Sequence, residues 1–275
     1  VLVIFNTVNI YSQKFETRSV VVKKINEKIN LDGVLDEKVW DQANSADNFW
    51  QYFPSDSIKS FNKTEVKLLY NDTHIFIGGT AYSKNPNFVV NSLKRDYSSR
   101  NNDNISIIFE TFNDGQNGFL FGVNAYGVQR EALVTDRGTG PGGFNLNWDI
   151  KWQAKHKRYD DRYVIEMAIP FSSLKYPEGI KKWGFQSYRY DLQSNENSAC
   201  NRLLQRQFPI NIGYYGEIIF EEPPVFAGPS KSSKPICLVC LNEVRQVRST
   251  IIDRNIYVIL LYFLENLIIK LHEFI

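Results

Sequence analysis

The chain has 275 residues, 43% of them apolar and 14% aromatic, with a formal net charge of +2 at pH 7. That length allows one large domain or two small ones with a real core, and the composition excludes an intrinsically disordered chain. The near balance of 32 basic and 30 acidic residues argues against a nucleic-acid partner or an anionic membrane surface, and reads as a mixed, solvated exterior.

The first residues, VLVIFNTVNIYSQ (1–13), read as the back half of a secretory signal peptide, with a first β-strand as the alternative. Val20 to Lys24 is a short β-rich run. INLDGVLDEKVW (29–40) follows: Asp32-Gly33 is a turn, and Asp36 is expected to cap a short helix with Glu37 in its first turn. That helix would bury Val39 and Trp40. Residues 48–54 read as a loop carrying Phe49, Trp50, Tyr52 and Phe53. Thr64 to Tyr70 and His74 to Tyr82 form a hairpin across Asn71-Asp72, and Gly78-Gly79 suggests a bulge or a close approach of backbones. A longer connection from Pro86 to Arg100 carries Leu93-Lys94-Arg95-Asp96.

Asp103 to Val134 is the stretch around which the chain is organised, a meander of three antiparallel strands. Ile105, Ile107 and Phe109 alternate with Ser106, Ile108 and Glu110, the period-2 pattern of a strand, and Ile108 suggests burial on both faces. Asn113-Asp114-Gly115 turns the chain. Phe119, Phe121 and Val123 then share a face, with Gly118, Leu120, Gly122 and Asn124 on the other. Ala125-Tyr126-Gly127 turns it again. One meander does not bury its own apolar face, so a second sheet must cover it.

RGTGPGGFNLN (137–147) reads as a mobile surface loop. It lacks the Lys-Ser/Thr ending and the following helix of a phosphate loop. Trp148 to His156 is expected as a strand with Trp148, Ile150 and Trp152 on one face. Arg162 to Ile169 is the next strand, ended by Pro170, and 171–174 is a helical turn. Trp183 to Tyr190 and Tyr215 to Phe220 complete the patterned strands. Beyond Glu222 the prolines break regular structure. The apolar run 256–269 is short of the ~20 residues of a membrane span and reads as a terminal helix. The three cysteines are Cys200, Cys237 and Cys240. A lone Cys-x-x-Cys is a weak metal signal, and the three scattered histidines do not suggest a metal site.

LDGVLDEKVW (31–40), LLYNDTHIFIGGTAY (68–82), Arg95-Asp96, FETFNDG (109–115), FGVNAYGVQRE (121–131), WDIKWQAK (148–155), IPFSSLKY (169–176) and WGFQSYRY (183–190), in this order, resemble the family 9 carbohydrate-binding-like domain. More closely, the chain resembles the version at the N-terminus of large outer-membrane proteins of Bacteroidetes-type bacteria. The resemblance covers roughly residues 28–222. It implies an all-β antiparallel β-sandwich, jelly-roll-like, with one or two short helices. It also implies export and carbohydrate recognition, and in longer relatives a membrane β-barrel follows. The expected organisation is a leader remnant at 1–13, a sandwich at 25–222, and an atypical tail at 223–275. That tail lacks barrel-like alternation and reads as truncated or frame-shifted.

Sugars are held by aromatic rings stacking on pyranose C–H faces and by planar polar groups bonding pairs of hydroxyls. The candidate platforms are Trp148 above all, with Trp152, Trp50 and Tyr126. Trp40 and Trp183 read as core. The candidate polar groups are Arg95, Asn124, Gln129 and Arg130, and Arg95-Asp96 and Arg130-Glu131 read equally as structural ion pairs. Asp96 and Asp103, beside Asn101 and Asn104, are candidate oxygen ligands for a structural Ca²⁺, although the spacing is not that of an EF-hand. Otherwise no cofactor is expected. Glu110, Asp114, Asp149 and Glu166 are the carboxylates a glycosidase would draw on, and no serine-elbow or zinc-protease motif occurs. The expected function is non-catalytic carbohydrate binding by an exported domain that assists polysaccharide capture or breakdown. The alternatives are an assembly domain associated with an outer-membrane barrel and a glycoside hydrolase.

Overall fold

The computed structural model describes residues 18–225 apart from residue 141. The leader at 1–13, the Cys237/Cys240 pair, the apolar run at 256–269 and nearly all of the tail lie outside the described residues. The strands are β1 (Ser19–Lys24), β2 (Ser45–Ala46), β3 (Trp50–Phe53), β4 (Thr64–Tyr70), β5 (His74–Tyr82), β6 (Asn104–Glu110) and β7 (Gly118–Asn124). They continue as β8 (Gln129–Val134), β9 (Phe144–Asn145), β10 (Gln153–Arg158), β11 (Arg162–Pro170), β12 (Lys182–Asp191), β13 (Glu196–Ala199) and β14 (Gly216–Phe220).

Their hydrogen-bonded order is β10-β11-β5-β4-β1-β14-β12-β6-β7-β8-β9, a single path that curls on itself. β1 is the hinge of the curl. Its first four residues pair in parallel with β14, and its last two pair in parallel with β4. All other pairings between named strands are antiparallel. The expected sandwich is therefore two layers of one mixed sheet. The first layer is β14-β12-β6-β7-β8-β9, with β13 beside β12 and β3 beside β13. The second is β10-β11-β5-β4.

The meander forms as its pattern demands. Ile105, Ile107 and Phe109 of β6 and Phe119, Phe121 and Val123 of β7 enter the cluster between the layers. Val66, Leu68, Ile75, Ile77, Tyr163, Ile165 and Met167 meet them from the second layer. Trp183 sits at its centre, fully buried and edge-on to Phe220 at 4.8 Å. Residues on the other face of the first layer are also buried. Ile108, Leu120, Ala132, Tyr188 and Tyr190 build a second cluster there with Leu203 and Ile212. Every residue of β6 and β7 is buried.

Several local expectations are corrected. The short helix is a 3-10 turn, Lys38–Gln42, preceded by Glu37 rather than capped by Asp36. The Glu37 carboxylate instead accepts from the Asn30 N–H. Gly78-Gly79 lies in unbroken register with β4, so there is no bulge. Gly78 leaves room for Leu35 and Trp40, and Gly79 for Ile165 and Ile105. The aromatic segment at 50–53 is a strand, paired with β13, whose four residues had no apolar run to announce them. The Gly-rich segment is not a free loop: Phe144 and Asn145 pair with Val134 and Leu133 of β8. The strand expected from Trp148 begins only at Gln153, although Trp148, Ile150 and Trp152 do all pack on the interlayer core.

Two buried charges tie the parts together. Arg189 of β12 donates to the Lys63 and Tyr82 carbonyls, to Thr64 Oγ1 and to Asp191, and so clips the first layer to the ends of β4 and β5. Glu166 of β11 is fully buried on the outer face of the second layer. One carboxylate oxygen accepts from the Asp32 and Gly33 N–H groups at 2.9 and 3.0 Å, fixing the 31–35 turn. Burial pushes the Glu166 carboxyl up to about 7, against the pull of those two amides. Between the ordinary carboxylate range and that value, the folded state holds a proton that the unfolded chain has released. The group's stabilising contribution is therefore complete at low pH and is lost as pH rises through 7. Glu166→Gln keeps an oxygen acceptor for both amides and removes the titration. The stability of the wild type relative to this variant is expected to fall by on the order of 2 kcal/mol between pH 5 and pH 8 in denaturant melts. A pH-independent difference would contradict this.

Candidate functional site

The outer face of the first layer carries a groove of about 460 Å³, within the ~300–1,000 Å³ range of small-ligand sites. Strand register explains why a groove forms there. Tyr188 of β12 lies opposite Ser106, Ser106 opposite Gly122, and Gly122 opposite Arg130. A large ring and a long cation thus flank two small residues in one row across four strands. A Cβ at Gly122 would lie 2.8 Å from Ser106 Oγ and 3.0 Å from Arg130 Cγ. The missing side chain lets the Arg130 stem lie flat across β7. Phe144, Leu146, the 96–100 segment, Phe208 and Ile210 line it as well. Phe208 is 54% exposed, so it offers its ring to a ligand at the mouth.

Arg130 is the chemical centre. Only 4% of it is exposed, and neither Nε nor Nη1 has a hydrogen-bond partner among the described residues. Its guanidinium lies 5.2 Å from the Phe144 ring centre and 5.9 Å from that of Tyr97, an arrangement in which aromatic faces partly offset the charge. The Tyr97 hydroxyl is likewise buried without a partner among the described residues. Burial raises the ionisation of the Tyr97 and Tyr190 hydroxyls above their ordinary value, so both stay neutral donors. The arrangement offers planar donors and hydroxyls deep in the groove with apolar rings around them. It suits a ligand with both oxygens and C–H faces.

Of the six sugar-binding residues expected from the sequence, only Arg130 lies here. Alternation turns Gln129 away from it. Gln129 and Glu131 point to the interlayer side of β8, where Arg95 pairs with Glu131 and donates to Gln129 Oε1 at 3.0 Å. The expected Arg95-Asp96 and Arg130-Glu131 pairs are thus replaced by one cross-pair, Arg95 with Glu131. Trp152 Nε1 also donates to Glu131. Asp96 adopts a left-handed φ of 59°, and its neighbours diverge: Arg95 joins Glu131, whereas Tyr97 joins Arg130. Asn124 is fully buried, its oxygen accepting from the Tyr126 and Val128 N–H groups, so it builds the β7–β8 turn.

Trp148 is partly buried against Phe119 and Phe121, at 5.1 and 6.1 Å, on the face of the layer opposite the groove. It packs the core rather than offering an exposed platform. Trp152 is buried in the interlayer core. The Trp50 ring lies under the Arg202 guanidinium at 4.7 Å, and Tyr126 under that of Arg158 at 3.9 Å. Asp103 uses both oxygens on the Val89 and Leu192 N–H groups, and Asp96 accepts from the Glu131 N–H. Among the described residues no group of three or more His, Cys, Asp or Glu is placed to hold a metal ion.

Tyr97, Phe144, Tyr188, Tyr190 and Phe208 were missed as site residues. Tyr188 and Tyr190 carried a signal, their own alternation on a strand whose other face holds Trp183 and Phe185. Phe208 lies in an irregular stretch with no period to place it.

The profile of the family described as carbohydrate family 9 binding domain-like matches residues 31–205. A family 9 carbohydrate-binding module from Caldicellulosiruptor kristjanssonii in complex with cellotriose is 18% identical, with a TM-score of 0.51 over 74% of this chain and 93% of that one. The same source's module in complex with glucose gives 18% and 0.52, over 74% and 96%. A putative carbohydrate-binding protein from Bacteroides uniformis gives 12% and 0.57, over 75% of this chain and all of that one. No curated protein sequence matches. At these identities the solved structures bear on the fold, whereas the profile spans well over half of the sequence and takes in the meander, Arg130 and most of the groove. The chain belongs to the carbohydrate family 9 binding domain-like family.

Proposed function

We propose that the chain binds carbohydrate without transforming it, through the groove around Arg130. The observation that carries this reading is the pairing of a buried guanidinium, its Nε and Nη1 without partners among the described residues, with aromatic rings in a cleft of ligand size. Guanidinium forks bond adjacent oxygens in pairs, and ring faces such as Phe208 stack on pyranose C–H surfaces. Membership of the family, and folds shared with modules solved with cellotriose and glucose, support the ligand class.

The two strand carboxylates do not form a hydrolytic pair. Glu110 lies on the outer face of the first layer and Glu166 on the outer face of the second. Packed sheets stand ~10 Å apart, so outward carboxylates exceed the ~5–10 Å that glycoside hydrolysis uses. The family resemblance extends the reading to an exported domain that assists polysaccharide capture, which cell fractionation and localisation of the native protein test.

Isothermal calorimetry against a glycan panel that includes glucose and cello-oligosaccharides is expected to find at least one binder. Arg130→Ala should weaken that ligand tenfold or more, on the scale of about 1.5–3 kcal/mol for hydrogen bonds to a charged group. Phe208→Ala should weaken it about threefold to tenfold through lost stacking. Trp148→Ala, on the opposite face, should leave affinity within about threefold yet lower folding stability by about 3 kcal/mol. A silent panel, or affinity lost with Trp148 and kept with Arg130, would refute the assignment of this groove.

A further inference from the structure

The first layer contains two buried arginines that the fold treats oppositely. Arg189, 2% exposed, has Asp191 and three further oxygens around it. Arg130, 4% exposed, forms no ion pair among the described residues, and two of its three nitrogens have no partner. An isolated buried charge is among the costliest groups a protein carries, and the rings of Tyr97 and Phe144 offset it only in part. The groove's own acid does not repair this. Asp96 is turned to the backbone N–H of Glu131, and the neighbouring acid, Glu131, faces the other side of β8 with Arg95. A second cation, Arg100, stands at the groove over the Phe208 ring at 5.4 Å.

We propose that the sugar held in this groove is acidic, a uronic acid unit whose carboxylate pairs with the Arg130 guanidinium while its ring lies against the aromatic wall. This rests on the carbohydrate reading above and narrows it. A planar carboxylate matches the planar fork of an arginine, and charge-assisted bonds are roughly twice as strong as neutral ones. A neutral sugar supplies only hydroxyl dipoles and leaves the buried cation without a counter-ion. Arg100 reinforces the preference by attracting an anionic chain to the mouth.

Calorimetry on the full chain with oligoglucuronides and oligogalacturonides, their methyl esters, and the neutral gluco- and galacto-oligosaccharides tests the assignment. The ester keeps the shape of the sugar and removes its charge, so no protein variant is needed. The acids are expected to bind at least tenfold more tightly than both esters and neutral sugars, with an affinity that falls as salt is raised. Arg130→Gln, checked for a native melt, should abolish the preference, and Arg100→Ala should reduce it. Neutral sugars binding as tightly as the acids would overturn the acidic assignment and leave the carbohydrate reading standing. So would a preference that survives in folded Arg130→Gln, a preference for sulfated sugars over uronides, or acetate competing as well as the uronide. Failure of every saccharide to bind would remove both.

Discussion

The central strands of the first layer, β12, β6 and β7, are buried on both of their faces, and the rest of the structure follows from that. In most two-layer sheets one face of each layer meets water, and a strand needs apolar residues only at alternate positions. Here β6 and β7 are enclosed by the interlayer core on one side and by the Tyr188–Leu203–Ile212 cluster on the other. A slip of one residue would exchange the two sets of side chains, sending Ser106, Gly122 and Arg130 into the core and Phe121 and Ile107 into the groove. The register is thus held from both sides, and so is the row of residues that forms the groove floor.

The same alternation distributes charge. Arg130 and Glu131 are neighbours in sequence but occupy opposite faces of β8, each in its own surroundings. Glu131 is neutralised by Arg95 beside Trp152, where it closes the rim of the interlayer core. Arg130 is left to the groove. The left-handed backbone at Asp96 completes the division by sending Arg95 to one side and Tyr97 to the other. A folded chain that tolerates an unpaired buried guanidinium gives up stability at that point, and such sacrifices concentrate where ligands bind.

The layers need a mechanical link because among the described residues β1 is the one strand shared between the halves of the curled sheet, and just two of its residues pair with β4. Arg189 supplies a second link at the far end, reaching the backbone of β4 and β5 from β12. Glu166 supplies a third constraint, on the 31–35 turn that lets Leu35 and Trp40 pack over Gly78. Each is a buried ionisable group hydrogen-bonded to backbone groups, which fixes position more narrowly than apolar packing does.

Period-2 alternation and turn chemistry decide local structure, and both are written in the order of residues. The meander, the Asn71-Asp72 hairpin, the strand from Arg162, and Trp40 and Trp183 as core were therefore legible, as was the family, whose motifs are spaced along one strand order. The short strands β3, β9 and β13 were not, because two to four residues carry too little pattern to separate a strand from a loop. Of the residues lining the groove, only Arg130 was among the expected sugar-binding residues. Trp148 looked like a platform because a Gly-rich stretch precedes it, yet that stretch pairs with β8 and turns the ring onto Phe119. Arg130, Ser106, Gly122 and Tyr188 come from four strands spread over more than eighty residues. No one-dimensional period links them, and only the pairing of strands in three dimensions made them neighbours.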